Sequence, residues 1–445
     1  MTALSSSARR RRLLDTCRSP TRPPSICADV TISSETVTLG SDHAELAGLA
    51  MKQAIVGRGV THLILPNEVQ HHPAAVGAAA GGPAGRLASR SALPPADELA
   101  RAIEMIQQAK RQMIVVGAGC RNRTAGIVAL GEHLAAPVAT TFKAKGLISD
   151  SHPLGSGVMG RSGTPGASWC MNESNLLIVF GASFSNHTGF APYETIIQID
   201  DDPMSIGRFH GVDAGLLGDV DVTARAITAA LVERGAIAAI DQRDDVAQRW
   251  AIWRAEKERR AADDSAHGID AAAVMASLTR LIDADAVLAV DVGNNTYSFG
   301  RYFEASGRQD LVMSAYLGSI GFALPAAMGV WAAVGDTRQI VSISDDGGFG
   351  QYAMELTTAV KYAMNITHTL LNNGELGKIS KEQRAALWDV WQTSLHNPDF
   401  AVFAELCGAR GFRANDPTDL DAALAAALAH PGPALVEVVT NPLLV

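Results

Sequence analysis

At 445 residues, with 47% apolar and 19% charged side chains, the chain has enough material for two or three domains with sizeable cores, which excludes a fibrous or disordered protein. A formal net charge of −9 argues against general nucleic-acid binding, which needs Lys and Arg to neutralise phosphates, and favours small-molecule ligands. Five cysteines, Cys17, Cys27, Cys120, Cys170 and Cys407, form no C-x-x-C pair and no even framework, so neither a zinc ribbon nor a disulfide scaffold is indicated and a reducing cytoplasm is expected.

No apolar run reaches the roughly 18 residues of a membrane-spanning helix. Residues 1–40 read as a disordered or non-native start, with an organellar transit peptide as the alternative: Ser5 to Arg12 is SSSARRRR, followed by Pro20, Pro23 and Pro24, without clear amphipathic periodicity or the apolar core of a secretory signal. In residues 41–70, Leu46, Leu49, Ala50 and Ile55 follow a helical spacing, and His62 to Pro66 reads as a short buried strand. Residues 71–95, rich in Ala, Gly and Pro, read as a linker.

A central domain is expected over 96–235, with helices at Asp97 to Lys110 and Thr124 to Leu134 and strands at Met113 to Val116, Val138 to Thr141, Leu176 to Val179 and Ile196 to Ile199. Alternation of strand and helix predicts an α/β, Rossmann-like domain built on a doubly wound parallel sheet. IVVGAGC at Ile114 to Cys120 leaves two readings open, a phosphate approaching Gly117 and Gly119 or a tight turn, since Asn122 stands where a third glycine would fall. Residues 236–269 include a long polar helix, predicted to lie on the surface as a connection.

A second doubly wound α/β domain is expected over 270–445, with a helix at Ala271 to Leu281 and strands at Val287 to Val290, Ile340 to Ile343, Ile366 to Leu371 and Ala434 to Val439. Between Ser342 and Lys378 acid, glycines and amides recur after two strands joined by a helix, Gln351 to Ala363, whose stripe is Met354, Leu356, Ala359, Val360 and Ala363. Such a crossover brings Asp346 and Asn373 to the same carboxyl edge of the sheet. One carboxylate, one amide carbonyl and one main-chain carbonyl suit Mg2+ when phosphate oxygens complete the shell, and the bare amides of Gly347 and Gly348 can approach a diphosphate. The alternative is an acidic surface turn followed by an Asn-Asn-Gly turn.

Asp346 and Gly347, then 24 residues, then Asn372 and Asn373, resemble the Gly-Asp-Gly to Asn-Asn motif of thiamine-diphosphate-dependent enzymes. The resemblance implies that Asp346, Asn373 and the carbonyl of Glu375 hold magnesium and that Gly347 and Gly348 support the diphosphate. YLGSIGFALPAAMG, from Tyr316 to Gly329, is similar to the segment that cradles the aminopyrimidine, which brings in Gly318, Ser319 and Ile320, the last as the apolar wedge or, alternatively, a core residue. DVGNNTY, from Asp291 to Tyr297, resembles the loop that places Gly293, Asn294 and Asn295 near the diphosphate. One departure stands out: Asp345 occupies the position of the family's first glycine.

VGAGC, Thr140 to Gly160 and IIQIDDDP resemble the central domain of pyruvate oxidases and acetolactate synthases, where FAD is carried in some members and not in others. Residues 41–70 resemble only the last portion of the family's first, pyrimidine-binding domain, so no catalytic glutamate is assigned. The resemblance implies 2-oxo-acid chemistry on a substrate such as pyruvate, and a homodimer or homotetramer weakened by the missing domain. Two other readings are a non-catalytic chain needing a partner for that glutamate and a nicotinamide-dependent dehydrogenase built on IVVGAGC. Trp388 and Trp391 are expected to pack on a helix, and His71, His72, His152 and His187 to be solvated or structural.

Overall fold

The computed structural model describes residues 27–73, 85–89, 91–185, 188–191, 193–235, 237–262, 268–315 and 317–442. The Arg-rich start, part of the expected linker (74–84 and 90), His187 and Tyr316 lie outside the described residues. Two compact units divide the chain, Met1–Arg90 and Ser91–Val445.

The first unit contains strand β1 (Ser33–Thr36), helix α1 (His43–Gly57), strand β2 (Thr61–Ile64) and helix α2 (Asn67–Gln70). Asp42 starts α1 by accepting the backbone N–H groups of Ala44 and Glu45, each at 3.0 Å. β1 and β2 pair in parallel, Ser33 opposite Thr61 and Thr36 opposite Ile64. Two expectations are corrected. The disordered start predicted through residue 40 contains the ordered strand β1, whose Ser-Ser-Glu-Thr sequence offers no apolar period to read. β2, predicted to be buried, is only half-buried, because two short strands and one helix cannot enclose it.

The second unit opens with helix α3 (Ala96–Gln108), whose Asp97 and Glu98 favour the positive helix end and whose Ala102, Ile103 and Ile106 turn inward. There follow β3 (Gln112–Val116), α4 (Ala125–Leu134), β4 (Val138–Thr140), β5 (Gly155–Val158), α5 (Pro165–Glu173), β6 (Leu176–Phe180), β7 (Ile196–Asp200), β8 (Ala214–Leu217) and α6 (Val220–Arg234). The six strands are all parallel in the order β5-β4-β3-β6-β7-β8. β3 and β6 are buried along their whole length and read as continuous apolar runs, as expected of strands covered on both faces. β5, with Gly155, Ser156 and Gly157, carries no apolar pattern and was not predicted.

At the point where this strand order reverses, a Cβ on Gly117 would lie 2.0 Å from the carbonyl oxygen of Gly181, and one on Gly119 2.9 Å from its Cα. Close approach of the chain to itself therefore accounts for both glycines. Asn122 takes a left-handed conformation, φ 61°, which Asn tolerates better than most residues.

Helix α7 (Arg243–Ala261) occupies the expected connecting segment, mostly at the surface but with three residues buried. Val246, Trp250 and Lys257 are buried, and the indoles of Trp250 and Trp253 donate to the carbonyls of Gly155 (2.6 Å) and Arg301 (3.0 Å). The helix is polar by count, but its two tryptophans bind it to β5 and to the segment around Arg301.

The last part contains α8 (Ala271–Leu281), β9 (Val287–Val290), α9 (Asn294–Tyr302), β10 (Asp310–Val312), α10 (Ala323–Val334), β11 (Ile340–Asp345), α11 (Asp346–Tyr352), α12 (Glu355–Lys361), β12 (Thr367–Asn372), α13 (Gly377–Ala385), α14 (Phe400–Leu406), β13 (Arg410–Ala414), α15 (Pro417–Leu428) and β14 (Ala434–Val439). Its six parallel strands run β10-β9-β11-β12-β14-β13. The chain leaves β9 towards one edge and β11 towards the other, so the crevice at their carboxyl ends is the topological switch point where open α/β sheets bind ligands.

The single helix predicted over Gln351 to Ala363 is two short ones, broken after Tyr352. Leu356 and Ala359 are buried as expected, but Met354 sits exposed at the break and Ala363 lies beyond the helix end at φ 48°. Trp388 and Trp391, expected to pack, are 70% and 71% exposed, because α13 stops at Ala385 and Leu387 turns left-handed.

Candidate functional site

Strand β11 runs into α11 without a loop, which sets Asp345 and Asp346 side by side at the sheet edge. β12 pairs with β11 in parallel, Asp345 opposite Leu371, so Asn372 and Asn373 emerge beside them. The backbone N–H of Gly374 donates to Asp346 Oδ2 at 2.8 Å, joining the two strand ends directly. Gly347 N donates to Asp346 Oδ1 at 3.0 Å. Burial raises the Asp346 carboxyl above its usual range, while these donors and Asn397 pull the other way.

Asn373 Oδ1 accepts the N–H of Glu375 at 3.1 Å, and the carbonyl of Glu375 accepts Gly377 N at 2.9 Å, so the turn orders its oxygens locally. A Cβ on Gly377 would come within 2.2 Å of Asn294 Nδ2 and 3.0 Å of Asn373 Nδ2. The start of α9 and the turn after β12 therefore face one another across this glycine. Gly347 abuts Leu376, and Gly348 faces Asp291, whose Oδ2 would be 2.7 Å from a Cβ there.

Asp291 organises the other wall: its carboxylate accepts Val292 N at 2.7 Å, Gly321 N at 2.9 Å and Phe322 N at 3.2 Å. Its carboxyl too is raised by burial. Gly318, at φ 68°, and Ser319 are tied back to Ser314 through backbone N–H bonds of 3.0 and 3.1 Å. Ile320 is 41% exposed, so it is not a core residue.

Asn295 is a tether, with Nδ2 donating to the carbonyls of Asp291 (3.1 Å) and Ile343 (3.2 Å). Asp345 approaches the same helix end, its Oδ1 3.1 Å from Asn295 N. The Asp345 carboxyl is pushed up to about 8, first by burial and then by the charge of Asp346. Asn294 Nδ2 and Asn295 Oδ1 are buried without a hydrogen-bond partner among the described residues. Such atoms carry a desolvation cost unless a ligand or water meets them.

Sequence reasoning missed Asn397 and Glu437. Asn397 Nδ2 donates to Asp346 Oδ2 (2.7 Å) and Asn372 Oδ1 (2.9 Å), and Glu437 accepts Asn372 Nδ2 (2.6 Å) and Phe400 N (3.0 Å). Asn397 lies in a loop that no spacing rule reaches. Glu437 was detectable, as an acid inside the otherwise apolar run ALVEVV.

Two models of thiamine pyrophosphate enzymes match the chain: the central domain over residues 99–227 and the C-terminal TPP binding domain over residues 291–438. The chain belongs to the thiamine pyrophosphate enzyme family. The second match spans every residue of the switch-point crevice named above. Among curated relatives, the putative thiamine pyrophosphate-containing protein YdaP of Bacillus subtilis is 33% identical, over 78% of this chain and 59% of the relative. A probable acetolactate synthase large subunit of Methanococcus aeolicus is 29% identical, over 78% and 60%, and the acetolactate synthase isozyme 2 large subunit of Escherichia coli 30%, over 77% and 62%. The chain thus spans about 60% of the length of these relatives.

The donor types at this edge suit a hard divalent cation. Among the described residues no three His, Cys, Asp or Glu side chains form a metal group of their own. A cation here would rest on one carboxylate, amide and main-chain oxygens and the phosphate itself, as magnesium does. No described helix is long and apolar enough to cross a membrane.

Proposed function

We propose that the switch-point crevice holds thiamine diphosphate with Mg2+, and that the chain serves 2-oxo-acid chemistry of the acetolactate synthase or pyruvate oxidase kind. The observation that carries this reading is the 2.8 Å bond from Gly374 N to Asp346 Oδ2, which puts the carboxylate and the Asn373 turn on one edge. Asp346, Asn373 and the carbonyl of Glu375 would hold the ion; Gly347, Gly348, Gly293 and Asn294 would lie at the diphosphate; Gly318, Ser319 and Ile320 would meet the ring system. When bound, the cofactor supplies the carbon nucleophile for a 2-oxo-acid carbonyl. The chain's part is to bind, orient and keep water away, and the exposed Ile320 offers an apolar surface for that.

Titration calorimetry of the purified chain with thiamine diphosphate, with and without Mg2+, tests the proposal. Mg2+-dependent binding that disappears in Asp346→Ala is expected. No response at millimolar cofactor would sink the reading for this chain. FAD, carried by some family members in the central domain, is checked on the same sample by its absorbance.

A second reading, a cofactor-binding chain that depends on a partner for proton transfer, is favoured by the glutamates near this edge. Glu375 is engaged by Ser380 at 2.7 Å and by Arg384, and Glu437 by Asn372 and Phe400. Both carboxylates are thus engaged within the chain. Binding without pyruvate turnover, with turnover restored by a second chain, would select this reading.

A further inference from the structure

We infer that the Asp345 carboxyl group fills the amide end of the α9 helix, so that a diphosphate entering this crevice must displace the protein's own side chain. The inference rests on the reading of this edge as a diphosphate site.

The start of a helix such as α9 presents unpaired N–H groups and positive potential, which together attract an anion. Here they are already answered. Asp345 Oδ1 and Oδ2 lie 3.1 and 3.4 Å from Asn295 N, although Asp345 belongs to another strand 50 residues away. Gly293, the residue before the helix, is shaped to that carboxylate: a Cβ there would stand 2.1 Å from Asp345 Oδ2. Asp345 has no basic partner within ion-pair distance among the described residues, and the charges nearest it are the carboxylates of Asp346 and Asp291. Its favourable contacts in this crevice are the helix amides.

A second observation shows that the crevice is made for more than Asp345. Asn294, 8% exposed, leaves Nδ2 without a partner, and that atom points to the space over Gly377 beside Asn373. Asp345 satisfies the backbone of the helix end and leaves this side-chain donor empty. An anion with two phosphoryl groups has oxygens for both. With Asp345 in place, it meets a third carboxyl group and finds the backbone donor taken. A glycine at 345 would remove both obstacles, and the backbone there, φ −82° and ψ 164°, is one that glycine adopts without strain.

The test uses the full chain and inorganic pyrophosphate with Mg2+ as the probe, so that no turnover is needed. Titration calorimetry should give Asp345→Gly at least tenfold tighter binding than wild type, and the ligand-free variant should melt at a lower temperature because α9 loses its cap. Asp345→Ala, which removes the carboxyl group and keeps a Cβ, should bind at least threefold more tightly and serves if the glycine variant does not fold. Wild type binding as tightly as the variants, or more tightly, overturns the inference while the diphosphate reading stands. Folded wild type and variants that all ignore pyrophosphate and Mg2+ overturn both.

Discussion

Asn397 holds Asp346 from a loop 51 residues further along the chain, its Nδ2 2.7 Å from Oδ2 of the carboxylate and 2.9 Å from Asn372 Oδ1. The amide fixes which lone pairs Asp346 turns towards the crevice. Groups that orient a metal ligand typically contribute 10- to 100-fold in affinity. Asn397→Ala should therefore weaken Mg2+-dependent cofactor binding by about tenfold or more, with little change in folding, whereas Asn397→Asp should weaken it further by adding charge beside Asp346. Calorimetric titration with Mg2+ held at several concentrations separates the ion's affinity from the cofactor's.

Glu437, fully buried on the central strand β14, accepts from Asn372 Nδ2, from the N–H groups of Phe400 and Ala401 and, at 3.4 Å, from Arg413. Removing one side of such a set strands its donors in a dry interior. Glu437→Ala should lower stability by about 2–4 kcal/mol, the range expected when several buried partners lose one acceptor. Urea unfolding followed by circular dichroism measures it. Because Asn372 precedes the Asn373 turn, the variant should also blunt Mg2+ dependence at temperatures where it remains folded.

Local pattern was enough to read both parallel sheets, since runs such as MIVV and LLIVF and the strand, helix, strand alternation are properties of short windows. It also placed Asp346 and Asn373 on one edge, because crossover handedness turns sequence order into position. What escaped depends on distant contacts. Asn397 has no fixed spacing from Asp346, and nothing in a short window shows that the indoles of α7 donate to Gly155 and Arg301. Asp345 was readable as a departure from a motif, but its hold on the α9 amides was not. Strands β5 and β8 stayed hidden because edge strands need no apolar alternation.

Gly117 offers a test of architecture against ligand chemistry. Its missing side chain is explained by Gly181, whose carbonyl oxygen would sit 2.0 Å from a Cβ, and by Ala182 Cβ at 2.5 Å. Gly117→Ala should destabilise the chain by about 1–3 kcal/mol, the usual cost of forcing an extra methyl into close packing. The loss should appear in chemical unfolding with no nucleotide present. A fully stable Gly117→Ala chain that has lost affinity for a flavin or nicotinamide would instead make the glycine a ligand residue.

His368 gives the fold an acid sensitivity of its own. It lies wholly buried on β12 between two hydroxyls of the neighbouring β11, Ser342 Oγ at 2.6 Å from Nδ1 and Ser344 Oγ at 2.9 Å from Nε2. Burial lowers its pKa to about 3, against about 6.5 for an unperturbed imidazole. The folded chain thus keeps the ring neutral where the unfolded chain protonates it. Between those values the unfolded state binds more protons, so stability falls as pH drops below about 6.5 and this residue adds nothing further below about 3. Its contribution to the slope is at most about 1.4 kcal/mol per pH unit. His368→Gln should be less stable than wild type at pH 7.5, through lost serine bonds, but the gap should narrow by up to about 2 kcal/mol by pH 5. Urea midpoints of both proteins at the two pH values decide it, and a gap that stays constant would mean that the imidazole is not titrating with unfolding.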